Sequence, residues 1–285
     1  IQCKRLLIEE REKRKKPVTD KKIITSWNAM MIKAYVDAFK TFGEELFIEW
    51  AIAGAEYLEE NLLQKDYSLK HIAENNETYN IAFLDDYAFT AEAFIDLYQV
   101  TFDEKWIFIS NQITDFAIHN FYDEHTQLFY YSSKNSEKLF TRNIEISDNV
   151  IPSSNSVIAR VLFILSKYFK NNLYKKMSQE MLLRVKDKLL GSGSFHANWG
   201  ILALEQTLPF YEITITGKKI HEEKKIINKK FLPNTLIGGA DCISKLPFLE
   251  QKNYNSDIII QVCVENTCLN PVNSVEELMK LLKYD

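Results

Sequence analysis

Glycine is the feature that most constrains this chain: 285 residues contain only 8, alongside 6 prolines. Average glycine usage is about 7%. Tight turns, bulges and phosphate-cradling loops rely on glycine's access to positive φ. A chain this poor in it does not read as a β-sandwich, a β-barrel or a nucleotide-binding α/β fold. It reads as long helices with short connections. Hydrophobic residues make up 46% and aromatics 13%, enough to build a large core and too much for a disordered chain.

Charge and cysteine content narrow the function classes. The formal net charge of −4 gives no overall attraction to nucleic acid, and no such partner is expected. The basic run Lys13 to Lys16 is offset by Glu9, Glu10 and Glu12, as on a solvated helix face. No apolar run reaches the roughly 18 to 20 residues that span a bilayer, and Val157 to Leu165 is broken by Arg160. A membrane partner is therefore not expected. There is no signal-peptide pattern, and four cysteines (Cys3, Cys242, Cys263, Cys268) are too few for a disulfide framework, so a cytoplasmic location is expected. Cys263 and Cys268 lack the C-x-x-C spacing and a second ligand pair, and neither a metal nor a cofactor is expected. The chain opens on Ile1 inside an apparent helix, as an internal part of a longer protein would.

Periodicity supplies the helices. Trp27, Met30, Met31, Ala34, Tyr35, Ala38 and Phe39 form one broad amphipathic face, ended by Gly43. A partner carries Phe47, Trp50, Ala51, Tyr57, Leu58 and Leu62. After a polar loop from Asp66 to Asn80 the pattern recurs: Asp85 and Asp86 open one helix, Asp103 its partner. Leu128 to Tyr131 and Leu139 to Thr141 read as two paired strands joined by Ser132 to Lys138. Pro152 and Ser153 open a third hairpin, and Phe195 to Thr207 is a seventh helix. The last part changes character, with strands at Glu212 to Thr216, Thr235 to Ile237 and Asp257 to Val264 and helices at Lys218 to Lys229 and Val275 to Leu282. The expected architecture is mainly α: helical hairpins over residues 1–208, then a small α/β C-terminal appendage over residues 209–285.

In consecutive hairpins every first helix points the same way, so their N-termini gather at one end. Polar and aromatic motifs sit at those starts: Ser26-Trp27-Asn28, Asp85-Asp86-Tyr87, Pro152 to Ser156, and Phe195 to Trp199. Helix N-termini offer unpaired N–H groups and a partial positive potential to oxygen-rich ligands. Ser, Asp and Asn are equally the ordinary N-cap residues, and aromatics at helical spacing usually belong to a core. The segment from Arg142 to Ser156 brings together Arg142, Glu145, Asp148 and Asn155, enough for a general acid, a general base and an orienting cation, or for a solvated Arg–carboxylate loop. His196 is a candidate proton carrier, histidine being the side-chain type suited to that task, or a structural histidine at a helix start.

These residues also carry a family resemblance. Asp20 to Met31 resembles the DDKILTSWNGLMI signature of the YyaL and spermatogenesis-associated thioredoxin-like family. Phe83 to Phe89 is similar to its FLEDYAF, and Arg142, Glu145, Asp148 and Pro152 to Val157 follow its R-x-K-E-x-x-D-x-x-x-PSGNSV in order and spacing. Cys263 to Pro271 is similar to its C-x4-C-x2-P ending. The chain departs from these patterns at Lys21, Ala29, Ile144 and Ser154, the last standing where the family has glycine. The resemblance implies a partial (α/α)6 toroid related to six-hairpin glycosidases and sugar epimerases, and a partner in the family's N-terminal thioredoxin-like domain. On that reading Asp86, Glu145 and Asp148 are the catalytic candidates. Trp27, Asn28, Tyr87, Arg142, Asn155 and His196 are the candidates for binding a carbohydrate-like ligand. The alternative is a non-catalytic binding or scaffold module that accompanies the thioredoxin-like domain.

Overall fold

The computed structural model describes residues 2–17, 19–73, 81–136, 141–265 and 267–282. It begins with helix α1 (Gln2–Glu12), which buries none of its residues. Its basic end is neutralised locally, since Lys13 and Lys16 pair with Glu10 and Glu12. Three hairpins follow: α2 (Thr25–Phe42) with α3 (Glu45–Asn61), α4 (Leu84–Thr101) with α5 (Glu104–Phe121), and, after a short β-hairpin of β1 (Tyr122–Asp123) and β2 (Leu128–Phe129), α6 (Ser154–Tyr168) with α7 (Asn172–Gly191). The final helix of the series is α8 (Ala197–Thr207).

Local chemistry sets these boundaries. Gly43 closes α2 in the left-handed conformation at φ 73°, returning its N–H to the Phe39 carbonyl. Asp103, Ser153 and Asn171 cap α5, α6 and α7 with their side chains. The packing is two-layered: α2, α4, α6 and α8 lie side by side as an inner layer, and α3, α5 and α7 back the first three of them. α4 is apolar around most of its circumference because α2, α5 and α6 enclose it. Outer-layer serines mark the repeat. Ser110 on α5 donates to the Ala91 carbonyl of α4, and Ser178 on α7 donates to the Ala159 carbonyl of α6, each across 19 residues of sequence.

The C-terminal segment builds a four-stranded sheet in the order β4 (Thr235–Ala240), β3 (Tyr211–Thr216), β5 (Ile259–Val264), β6 (Thr267–Cys268). β3 and β4 run parallel, connected by α9 (Ile220–Ile227), and β5 is antiparallel to β3 with Tyr211 opposite Val264. Helix α10 (Val275–Leu281) packs with α9 over a small core that includes Ile213, Ile215, Ile260 and Val262. This unit sits on the C-terminal ends of the inner helices. Asn228 and Lys224 donate to the last-turn carbonyls Val100 and Thr101 of α4, which have no intrahelical partner. Tyr168 of α6 donates to the Ile237 carbonyl at 2.6 Å. The opposite, N-terminal end of the inner layer is left for the loops.

The short strands differ from the expectation. Leu128–Phe129 pairs with Tyr122–Asp123, because the Asp123 carboxylate accepts from both the N–H and the hydroxyl of Thr126 and turns the chain immediately. Part of the anticipated partner, Leu139 to Thr141, lies outside the described residues, as does the end of the Asp66 to Asn80 loop. Cys263 and Cys268 are joined in a disulfide across β5 and β6, while Cys3 and Cys242 are free and exposed.

Candidate functional site

Two carboxylates, the buried Asp86 and the half-buried Asp148, organise the N-terminal end of the inner helices. Asp86, on the first turn of α4, has no solvent exposure. One oxygen accepts from the Ser26 N–H at the start of α2 (3.0 Å), the other from the Phe83 N–H (2.9 Å) and from His71 Nδ1 (2.8 Å). It therefore ties α2 to α4. Asp148 does the same for the next pair: it accepts from the Ser153 N–H before α6 (2.9 Å), the Ser156 hydroxyl (3.3 Å) and the Asn198 N–H on α8 (2.9 Å). Both carboxylates satisfy orphan N–H groups where the helix dipoles favour negative charge.

Beside Asp86 stands a second carboxylate, Asp85, which is half-buried. It accepts from the Tyr131 hydroxyl at 3.3 Å. Burial, and then the Asp86 charge, push its carboxyl up to about 6. The hydrogen bond to Asp86 raises His71 above the ordinary histidine value. Aromatic rings wall this spot: Phe83 stacks on Tyr131 (centroids 5.0 Å apart, planes within 12°), and His71 meets the Phe83 edge at 5.1 Å. Backbone contacts fix these groups. Tyr131 receives the Leu84 N–H on its carbonyl and gives its own N–H to Asn143. His71 lies on a segment bridged to Ile24 through Ile72, and its carbonyl takes the Thr25 N–H. Asp85, His71, Phe83 and Tyr131 form a half-open group around a carboxyl that holds its proton close to neutrality.

The other anticipated residues fall into distinct places. Asn155 is fully buried; its amide exchanges two hydrogen bonds with Phe129 and donates to the Glu145 carbonyl. His196 is 3% exposed, between the Ser192 carbonyl on Nδ1 and the Ser147 hydroxyl on Nε2. Tyr87 is also buried: its hydroxyl accepts from the Leu69 N–H, and its ring stacks on Phe116 in the core. Asn28 donates back to the Ile24 carbonyl within its own helix start. Trp27 stands 64% exposed. Arg142 lies over the Tyr130 ring at 4.0 Å and donates to the Ser132 carbonyl. Glu145 is half-buried, and its charge reaches Tyr131. Asp86, Asp148, Asn155 and His196 thus share one end of the molecule, each engaged in local hydrogen bonds, and Glu145 lies two residues beyond Asn143, whose carbonyl takes the Tyr131 N–H. His71, Asp85 and Tyr131 were not among the expected site residues.

Farther along the inner helices lies a second polar region. Lys33 of α2 pairs with Asp96 of α4, and Arg160 of α6 bridges Glu92 of α4 (3.0 Å) and Glu205 of α8 (2.8 Å). Lys33, Asp96, Arg160 and Glu205 line a cleft of about 750 Å³ together with residues 227–235 and Ile237. Each charge has a hydrogen-bonded opposite, the condition for keeping ions away from water.

Hairpins in two layers, with first helices side by side and their N-termini at one end, define the class: a partial (α/α)6 toroid. A GH76 α-mannanase from Bacteroides thetaiotaomicron superposes with a TM-score of 0.55 at 13% identity, over 69% of this chain and 55% of that one. In sequence, the chain is similar to human spermatogenesis-associated protein 20, 24% identical over 97% of this chain, in agreement with the motif resemblance. An uncharacterised Caenorhabditis elegans protein is 21% identical over 98% of the chain. The chain spans about two fifths of these relatives' lengths, 38% and 40%. No family model matches it.

Proposed function

We propose that the group around Asp85 is a site for a carbohydrate-like ligand, with the Asp85 carboxyl as general acid. The observation that carries this is a carboxyl raised to about 6 beside a second, fully engaged carboxylate. That is the arrangement by which one of two acids stays protonated near neutral pH. Asp86 is then the positioning residue that raises Asp85, not the proton donor itself. Glu145 is the candidate for the complementary base, and Asp148 is assigned to the framework. Phe83 and Tyr131 offer a stacking platform for a sugar ring, with Arg142 over the adjacent Tyr130 and the exposed Trp27 as further candidates for binding. We read residues 1–208 as the ring segment and 209–285 as the unit that closes it, in a cytoplasmic protein working with a thioredoxin-like domain.

The test is a glycan and sugar-phosphate screen on the longest natural form of the protein, followed by Asp85→Asn and Glu145→Gln. Turnover or binding lost about a hundredfold in Asp85→Asn, with the fold intact, supports the assignment. Unchanged activity in both variants removes it. A second reading, a non-catalytic scaffold, is favoured by the consumption of Asp86, Asp148 and Asn155 in backbone hydrogen bonds. It predicts that no sugar is bound.

A further inference from the structure

On the far side of α6 from the Asp85 group, a cleft of about 540 Å³ opens between the α6–α7 connection and the sheet. Its walls carry four lysines, Lys167, Lys170, Lys175 and Lys252, against two carboxylates, Glu212 and Glu250. Lys167 pairs with Glu212 (2.8 Å) and Lys170 with Glu250 (3.1 Å). Lys252 donates only to the neutral Gln261 amide (2.6 Å), and Lys175 has no acidic partner among the described residues. Burial and the nearby Lys170 ammonium lower the Lys252 pKa, with Glu212 acting more weakly in the other direction. The Cys263–Cys268 disulfide forms part of the same wall. Cys268 is exposed, on the two-residue edge strand β6.

We propose that this cleft is a thiol–disulfide exchange site for an anionic thiol of small-peptide size. Excess positive charge in a concave surface raises the local concentration of an anionic reactant, and the volume lies within the range of small-molecule sites. The incoming thiolate attacks Sγ of Cys268. A new S–S bond forms, the Cys263–Cys268 bond breaks, and the electron pair leaves on Cys263 as a thiolate beside the lysine cluster. A second thiol attacks the mixed disulfide, frees the Cys268 thiolate and departs as the symmetrical disulfide. Two thiols are oxidised, the protein disulfide gains two electrons, and the two protons released by the thiols pass to the cysteines or to solvent. Reduction unties β6 from β5 at the edge of the sheet.

The experiment uses the full chain with Cys3→Ser and Cys242→Ser, oxidised and then mixed with glutathione, 2-mercaptoethanesulfonate or 2-mercaptoethanol at matched thiolate concentration. Alkylation and mass spectrometry follow the release of Cys263 and Cys268. At low salt the two anionic thiols are expected to react about tenfold faster than 2-mercaptoethanol, with the advantage fading as salt rises. A glutathione adduct should be trapped on Cys268. Adding Lys175→Gln and Lys252→Gln should reduce the advantage to about twofold, without slowing 2-mercaptoethanol. Equal rates for all three thiols overturn the proposal. So does an advantage that survives loss of both lysines, or failure of the pair to oxidise in a glutathione redox buffer.

Discussion

Asp86 and Asp148 do the same mechanical work in two places, yet their surroundings differ. Each ties the N-termini of two neighbouring inner helices through main-chain N–H groups. Around Asp148 the neighbours are neutral: Ser153, Ser156 and the Asn198 backbone. Around Asp86 stand a histidine and a second carboxyl. The Asp148 knot is built from neutral donors, whereas the Asp86 charge also raises His71 and adds to the effect of burial on Asp85. A scaffold element becomes a chemical site when something beside it is made to depend on its charge.

Removing each carboxylate should separate the two most clearly. Asp148→Ala leaves the Ser153 and Asn198 N–H groups without their acceptor and is expected to cost about 3 kcal/mol in urea unfolding. Asp86→Ala strips a similar set but also relieves Asp85, so its cost should be smaller, about 2 kcal/mol. His71 should then titrate lower by NMR. Equal costs with an unmoved His71 would break the comparison.

A smaller effect has the opposite sign. The folded Asp85 carboxyl, at about 6, lies above its ordinary 3.8. Stability from that group is therefore fully present below pH 4 and lost as pH rises through 6. Asp85→Asn should stabilise the protein by roughly 1 to 2 kcal/mol at pH 8 and by almost nothing at pH 4, allowing for partial solvent screening. Equal gains at both pH values would place the cause elsewhere. Least of all, Tyr131→Phe should keep the stack on Phe83 and cost about 0.5 kcal/mol, while shifting the Asp85 titration upward.

Much of the architecture was legible in the residues. Gly43, Asp103 and Ser153 marked helix ends where the chain turns, because caps are short-range chemistry. The alternation at 257–264 contained the central β5. The site was legible only in its local part. The Asp85-Asp86 pair showed its acidic helix start, but which of the two is engaged depends on Ser26, 60 residues away, and on His71 in an irregular segment. No periodicity reports such a contact. Tyr87 illustrates the reverse: its place beside the caps attracted a binding role, while its ring belongs to the packing between α4 and α5. The β1–β2 hairpin carried a readable signal in Asp123 and Thr126 that the wider strand pattern concealed.

The paired serine bonds, Ser110 to Ala91 and Ser178 to Ala159, have a mechanical consequence. Successive hairpins are locked internally in the same register and meet chiefly through neighbouring inner helices. Such a chain behaves as a row of coupled units, with stability set by each unit and its junctions. The α2–α3 hairpin adjoins the series chiefly through α4, with one ion pair from Glu59 to Lys105 of α5, so under denaturant its amides should exchange before those of α4 and α6, as a row of bricks loosens first from the end.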